Sequence, residues 1–104
     1  MTNQRPARET GIAERTDQEV RRSPLFRVVL HNDDYTTMDF VVSVLESVFL
    51  MHPAEAYRVM MQVHCQGRGA AGVYPHEIAE TKVGLVHGLA RERGFPLKAS
   101  IEEA

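Results

Sequence analysis

Cysteine is nearly absent. Cys65 is the single one in 104 residues, and one thiol makes neither an internal disulfide nor a multi-cysteine zinc site. Long apolar runs are missing as well. The longest is Val48-Phe49-Leu50-Met51, far short of the about 20 residues a spanning helix needs, so no membrane is expected. Neither sign of charge dominates. Twelve Lys and Arg stand against 14 Asp and Glu, for a net charge of −2. That leaves no strongly basic field, and nucleic acid is not expected as a partner. The N-terminus is polar, with no apolar stretch of the secretory kind. The expected compartment is therefore reducing and cytoplasmic, and the length suits one domain.

What is present changes character near Pro24. Residues 1–24 hold five apolar side chains, those of Met1, Ala7, Ile12, Ala13 and Val20. Such a segment buries too little surface to offset its ordering entropy. It is expected to be a disordered arm, with a short helix over Glu14–Val20 as the alternative. Residues 25–104 are expected to form the folded core domain.

Within that core, Leu25–His31 is short and rich in β-branched residues and predicts a strand. Asn32-Asp33-Asp34-Tyr35 is turn chemistry, because Asx side chains bond nearby backbone. Thr36 is expected to open a helix, with Thr36-x-x-Asp39 close to a capping box. Phe40, Val41, Val44, Leu45, Val48 and Phe49 give that helix an apolar face. His52-Pro53 starts a second helix and Gly67 ends it. Gly69–Tyr74 predicts a short strand weakened by glycine. Pro75 starts a third helix that Gly94 closes, and Leu97–Ile101 predicts the last strand. The β-α-α-β-α-β order predicts an α+β sandwich, a small three-stranded antiparallel sheet packed against three helices.

Two groups of residues carry candidate chemistry. Asn32-Asp33-Asp34 reads either as a solvated turn or as a site for a small positive group. A calcium loop does not fit, since the spaced ligands and distant Glu are missing. Met60 and His64 lie one turn apart on the second helix with Val63 beside them. They read as core packing with a structural histidine, or as one wall of a pocket. If the mouth of the first helix, with Thr36 and Met38, faces that wall, an apolar hole acquires a rim of amide, carboxylate and imidazole. Such a hole suits a ligand that joins an apolar side chain to an ammonium.

The stretch Leu30–Val41 resembles the ClpS adaptor family. So do Val63-His64-Cys65-Gln66-Gly67-Arg68-Gly69, Gly72-Val73-Tyr74, Glu77–Val83, and the ending from Pro96-Leu97 to Glu102-Glu103. The resemblance covers residues 25–104 in order. It implies an adaptor, without cofactor or metal, for proteins whose first residue is Leu, Phe, Tyr or Trp. The adaptor hands them to the ClpA unfoldase of the ClpAP protease. By the same resemblance Asn32, Asp33, Asp34 and His64 hold the substrate's α-amino group. Thr36, Met38, Val41, Met60, Val63 and Leu97 line the side-chain pocket, with Met38 as its gatekeeper. Glu77 and Lys82 match the face that docks on the unfoldase's N-terminal domain, and the arm matches the extension that engages the unfoldase. A monomer is the expectation.

Two departures from the family stand out. Thr37 replaces its usual Pro at what is expected to be the first helical position. His31, before the Asn, adds a group that would alter the loop's charge below neutral pH. Arg68-Gly69-Ala70-Ala71 has no functional account from sequence.

Other classes fit less well. His64 and Cys65 suggest a thiol hydrolase, but adjacent helical residues point about 100° apart and do not pair. Zinc through His52, His64 and His76 is a second enzyme-like reading. The element order also resembles the C-terminal domain of the ribosomal stalk protein, a passive interaction domain, which lacks the Asn-Asp-Asp loop.

Overall fold

The structure is a computed structural model that describes residues 24–104. The arm expected over residues 1–24, with the helix considered for Glu14–Val20, lies outside the described residues apart from Pro24.

The element order is the expected one: β1 (Leu25–His31), α1 (Met38–Ser47), α2 (Pro53–Gln66), β2 (Arg68–Pro75), α3 (His76–Arg93) and β3 (Lys98–Glu103). β1 lies in the middle of a three-stranded antiparallel sheet of order β2-β1-β3. Alternation sends Val28 and Leu30 into one core with the apolar faces of the three helices. Val29 is one residue out of phase and is buried outside that cluster. The core's aliphatic side chains are Val, Leu and Ala for the most part, and each fully buried Val or Leu contributes roughly 1.5–3 kcal/mol.

Glycine sets two helix ends. Gly67 closes α2 at φ 90° and Gly94 closes α3 at φ 74°, both left-handed conformations that cost an L side chain steric energy. A third glycine has a packing reason. A Cβ on Gly69 would stand 2.9 Å from Val63 Cγ2, so β2 approaches α2 only because the side chain is missing. One residue on, the register of β2 slips. Val28 pairs with Gly72 and Val29 with Ala70, which leaves Ala71 as a bulge. Ala71 is buried in the core. The small-residue segment is therefore a close-packing device between β2 and α2.

Boundaries differ from expectation at β2, which runs Arg68–Pro75, at α3, which opens at His76 with Pro75 as its N-cap, and at α1 and β3. Thr36 does not cap α1. Thr37 does, with Oγ1 accepting from Phe40 N–H at 3.1 Å. The Thr36 hydroxyl is drawn back to Asp33, and the helix opens one residue later. Thr37 is thus the N-cap and not the first helical residue. The last strand begins at Lys98 instead of Leu97 and runs on to Glu103.

Candidate functional site

The site forms where the end of β1 meets the first turn of α1 and the last two turns of α2. Asn32 follows β1 directly, and its backbone N–H donates to the Gly67 carbonyl at 2.9 Å. That bond ties the strand end to the C-cap of α2, so the Asn-Asp-Asp loop and His64 are held on one side of the molecule.

Asp33 organises the loop. Its Oδ1 accepts from Tyr35 N–H at 2.8 Å and from Thr36 N–H at 2.7 Å. Its Oδ2 accepts the Thr36 hydroxyl at 2.7 Å. Partial burial alone would raise the Asp33 pKa. The three hydrogen bonds, two from Thr36 and one from Tyr35, outweigh it and hold the carboxyl below its ordinary value. Asp34 and His64 are exposed, and neither side chain makes a hydrogen bond among the described residues.

These groups edge a cavity of about 280 Å³. Asn32, Asp33, Asp34 and His64 supply its polar side, and Thr36 and Met38 come from the loop and the α1 start. Val41 of α1 with Met60 and Val63 of α2 complete the lining. Those three are nearly closed to solvent, at 6%, 4% and 2% exposure, whereas Met38 is 41% exposed. The cavity is therefore an apolar socket with a polar rim of net negative charge. An unbranched thioether side chain such as Met38 adapts readily to what enters.

Leu97 is the one expected pocket residue that is not among the cavity's lining residues. It stands one step past the His31–Lys98 pair, level with Asn32, but is 3% exposed and packs into the core. Glu77 is exposed in the first turn of α3. Lys82 is half-buried and already occupied: Nζ donates to the Val48 carbonyl at 2.7 Å and lies 5.5 Å from the Tyr74 ring centroid. Five residues place the two about 140° apart around the helix. Sequence reading missed this capping role for Lys82, since a contact across 34 positions leaves no local pattern. It also missed Asp33 as the loop's organiser, although an Asp three before a Thr is the pattern of such a turn.

Among the described residues, His52, His64 and His76 do not gather into a metal-binding group. No described helix is long and apolar enough to cross a membrane.

Comparison with known proteins places the chain in one family. The family described as ATP-dependent Clp protease adaptor protein ClpS matches residues 21–100. The chain is 58% identical over 87 residues to the ATP-dependent Clp protease adapter protein ClpS of Nitratidesulfovibrio vulgaris (strain Miyazaki F), covering 84% of this chain and 87% of that one. It is 50% identical over 99 residues to the protein of that name from Desulforapulum autotrophicum, covering 91% and 95%. Among solved structures it is similar to Agrobacterium tumefaciens ClpS2 bound to L-phenylalaninamide, with a TM-score of 0.77 and 42% identity. That match covers 80% of this chain and all of ClpS2.

Proposed function

The chain belongs to the ClpS family of Clp protease adaptors, and from that premise we propose that it recognises N-degrons. It binds proteins that begin with Leu, Phe, Tyr or Trp through their free α-amino group and first side chain. It then delivers them to the ClpA unfoldase of the ClpAP protease. The observation that carries this reading is the juxtaposition of an apolar socket with a carboxylate, amide and imidazole rim. The phenylalaninamide bound by ClpS2 has the same two parts, a free α-amine and an apolar side chain.

The chemistry follows from the rim. An α-amine has a pKa of about 7.7–8.0, so at neutral pH most of it is ammonium. Nearby carboxylates favour that charge. An internal peptide nitrogen lacks both the charge and the three donors. The rim therefore distinguishes a chain end from a chain interior, and an acetylated end is rejected.

The loop divides the labour. Asp33 has both oxygens engaged, so it shapes the loop and adds charge. Asn32, Asp34 and His64 face the ammonium directly. Thr36, Met38, Val41, Met60 and Val63 receive the side chain. Burying one large apolar side chain contributes roughly 1.5–3 kcal/mol. Two or three charge-assisted hydrogen bonds contribute roughly 1.5–3 kcal/mol each, against an association cost of at least about 4 kcal/mol. The surplus reaches about 8 kcal/mol at most, which corresponds to micromolar affinity at best and suits an adaptor that must release its cargo.

In this reading residues 25–104 form the binding domain, and Glu77 with the Lys82 region docks on the unfoldase's N-terminal domain. Residues 1–24 form the arm that engages the unfoldase. The protein acts as a cytoplasmic monomer and catalyses nothing itself. The test is binding of a labelled peptide beginning with Phe, against its N-acetylated form and an Ile-initiated one. Binding of the free Phe peptide alone, lost in Asn32→Ala and His64→Ala, is the expected result. Equal binding of all three, or of none, would overturn it.

A further inference from the structure

His31 is the residue that neither the pocket nor the core uses. As the last residue of β1, it stands across from Arg68 on β2 and Lys98 on β3. Its Nε2 lies 2.6 Å from Ser100 Oγ on β3. Further along this sheet face, Glu102 accepts from Arg68 Nη2 at 2.6 Å and from Arg27 Nη1 at 3.1 Å. The groups around His31 are thus two cations, a hydroxyl, and one carboxylate shared between two arginines.

One residue bonded next to this cluster lines the cavity, and the other is its backbone partner. Asn32 follows His31 in the chain, and Gly67 precedes Arg68. The Asn32 N–H donates to the Gly67 carbonyl. Anything that spreads the strand ends at His31 and Arg68 also pulls on this bond, and with it on the placement of Asn32 at the cavity rim.

We propose that His31 is a positioning residue for N-terminal recognition, holding the end of β1 while neutral and loosening it when protonated. This inference rests on the N-degron reading of the site. The Ser100 contact does not itself break, because the hydroxyl bonds either tautomer of the neutral ring and accepts from an imidazolium Nε2–H. What changes is charge. Protonation inserts a third cation between Arg68 and Lys98, and Glu102 is already committed to two guanidinium groups. The balance of the site agrees: partial burial, Arg68 and Lys98 all lower the His31 pKa, and Glu102, which raises it, does not prevail. Binding therefore carries a pH dependence that originates outside the pocket.

Linkage gives a direct test. The ring resonances of His31, assigned by their loss in His31→Gln, are titrated by NMR with and without a saturating Phe-initiated peptide. If protonation weakens binding, the peptide lowers the His31 midpoint, by about one pH unit for a tenfold effect on affinity. An unmoved midpoint overturns the proposal, whatever His64 does. The second measurement is peptide affinity from pH 7.5 to 5 for the native protein and for His31→Gln, whose longer amide extends toward the position of Nε2 beside Ser100 and does not titrate. Equal affinities at pH 7.5, with the native protein falling about threefold further by pH 5, are expected. Parallel profiles overturn the proposal. Failure of the peptide to bind at pH 7.5 would instead overturn the N-degron reading beneath it.

Discussion

Replacing Asp33 with Ala should loosen the recognition loop and cost measurable stability. The carboxylate accepts three hydrogen bonds, from Tyr35 N–H, Thr36 N–H and the Thr36 hydroxyl. A typical intramolecular hydrogen bond contributes about 1 kcal/mol net, and one to a charged group more. Tyr35 is exposed and its N–H regains water on mutation, so the three together amount to about 2 kcal/mol. For a domain of this size that lowers Tm by roughly 8–16 °C. Peptide affinity should fall as well, because the loop no longer holds Asn32 and Asp34 at the rim. Asp34→Asn separates the two roles. It should leave Tm nearly unchanged and weaken a free-amine peptide about tenfold, the loss of one charge-assisted contact. The assays are thermal denaturation and fluorescence titration of a labelled Phe-initiated peptide. An Asp33→Ala protein with native Tm, or an Asp34→Asn protein with native affinity, would refute this division of labour.

The same carboxyl gives a pH signature. Its pKa is lowered in the folded state, so its stabilisation is complete above the unfolded value of about 3.9. It is lost as pH falls through the lower folded value, and acid unfolding of native protein and Asp33→Ala should converge there. Gly69→Ala forces a methyl to 2.9 Å from Val63 Cγ2; denaturant melts should show a loss of about 1–3 kcal/mol, together with weaker peptide binding, since Val63 lines the socket. Thr37→Ala removes the α1 N-cap and should cost about 1 kcal/mol in the same melts. Thr37→Pro fits the observed φ of −74° and recovers part of that loss through a stiffer unfolded chain. Met60→Ala opens a buried wall of the socket; it should destabilise by about 2–5 kcal/mol and weaken binding of Phe-initiated peptides, both readable by melting and titration.

Much of this was legible along the chain. The helix spacing of Phe40, Val41, Val44 and Leu45, the Pro53 start and the Gly67 and Gly94 stops are local effects. Each depends on a residue's own backbone preference or on neighbours three and four positions away. The Asn-Asp-Asp turn and the one-turn spacing of Met60 and His64 are local in the same sense, and nine of the ten residues expected at the rim and pocket line one cavity. Sequence by itself therefore determined the element order, the turn chemistry and the family.

Tertiary structure decided what depends on distant partners. Leu97, level with Asn32, is buried in the core and outside the cavity's lining. Lys82 was taken by the Val48 carbonyl, and His31 by Ser100, Arg68 and Lys98. Which of two adjacent threonines caps α1 turned on where Asp33 pointed. A hydrogen bond is made with whatever donor or acceptor the fold delivers within about 3 Å. Spacing along the chain determines that geometry within a turn, but between strands and helices only the assembled core does.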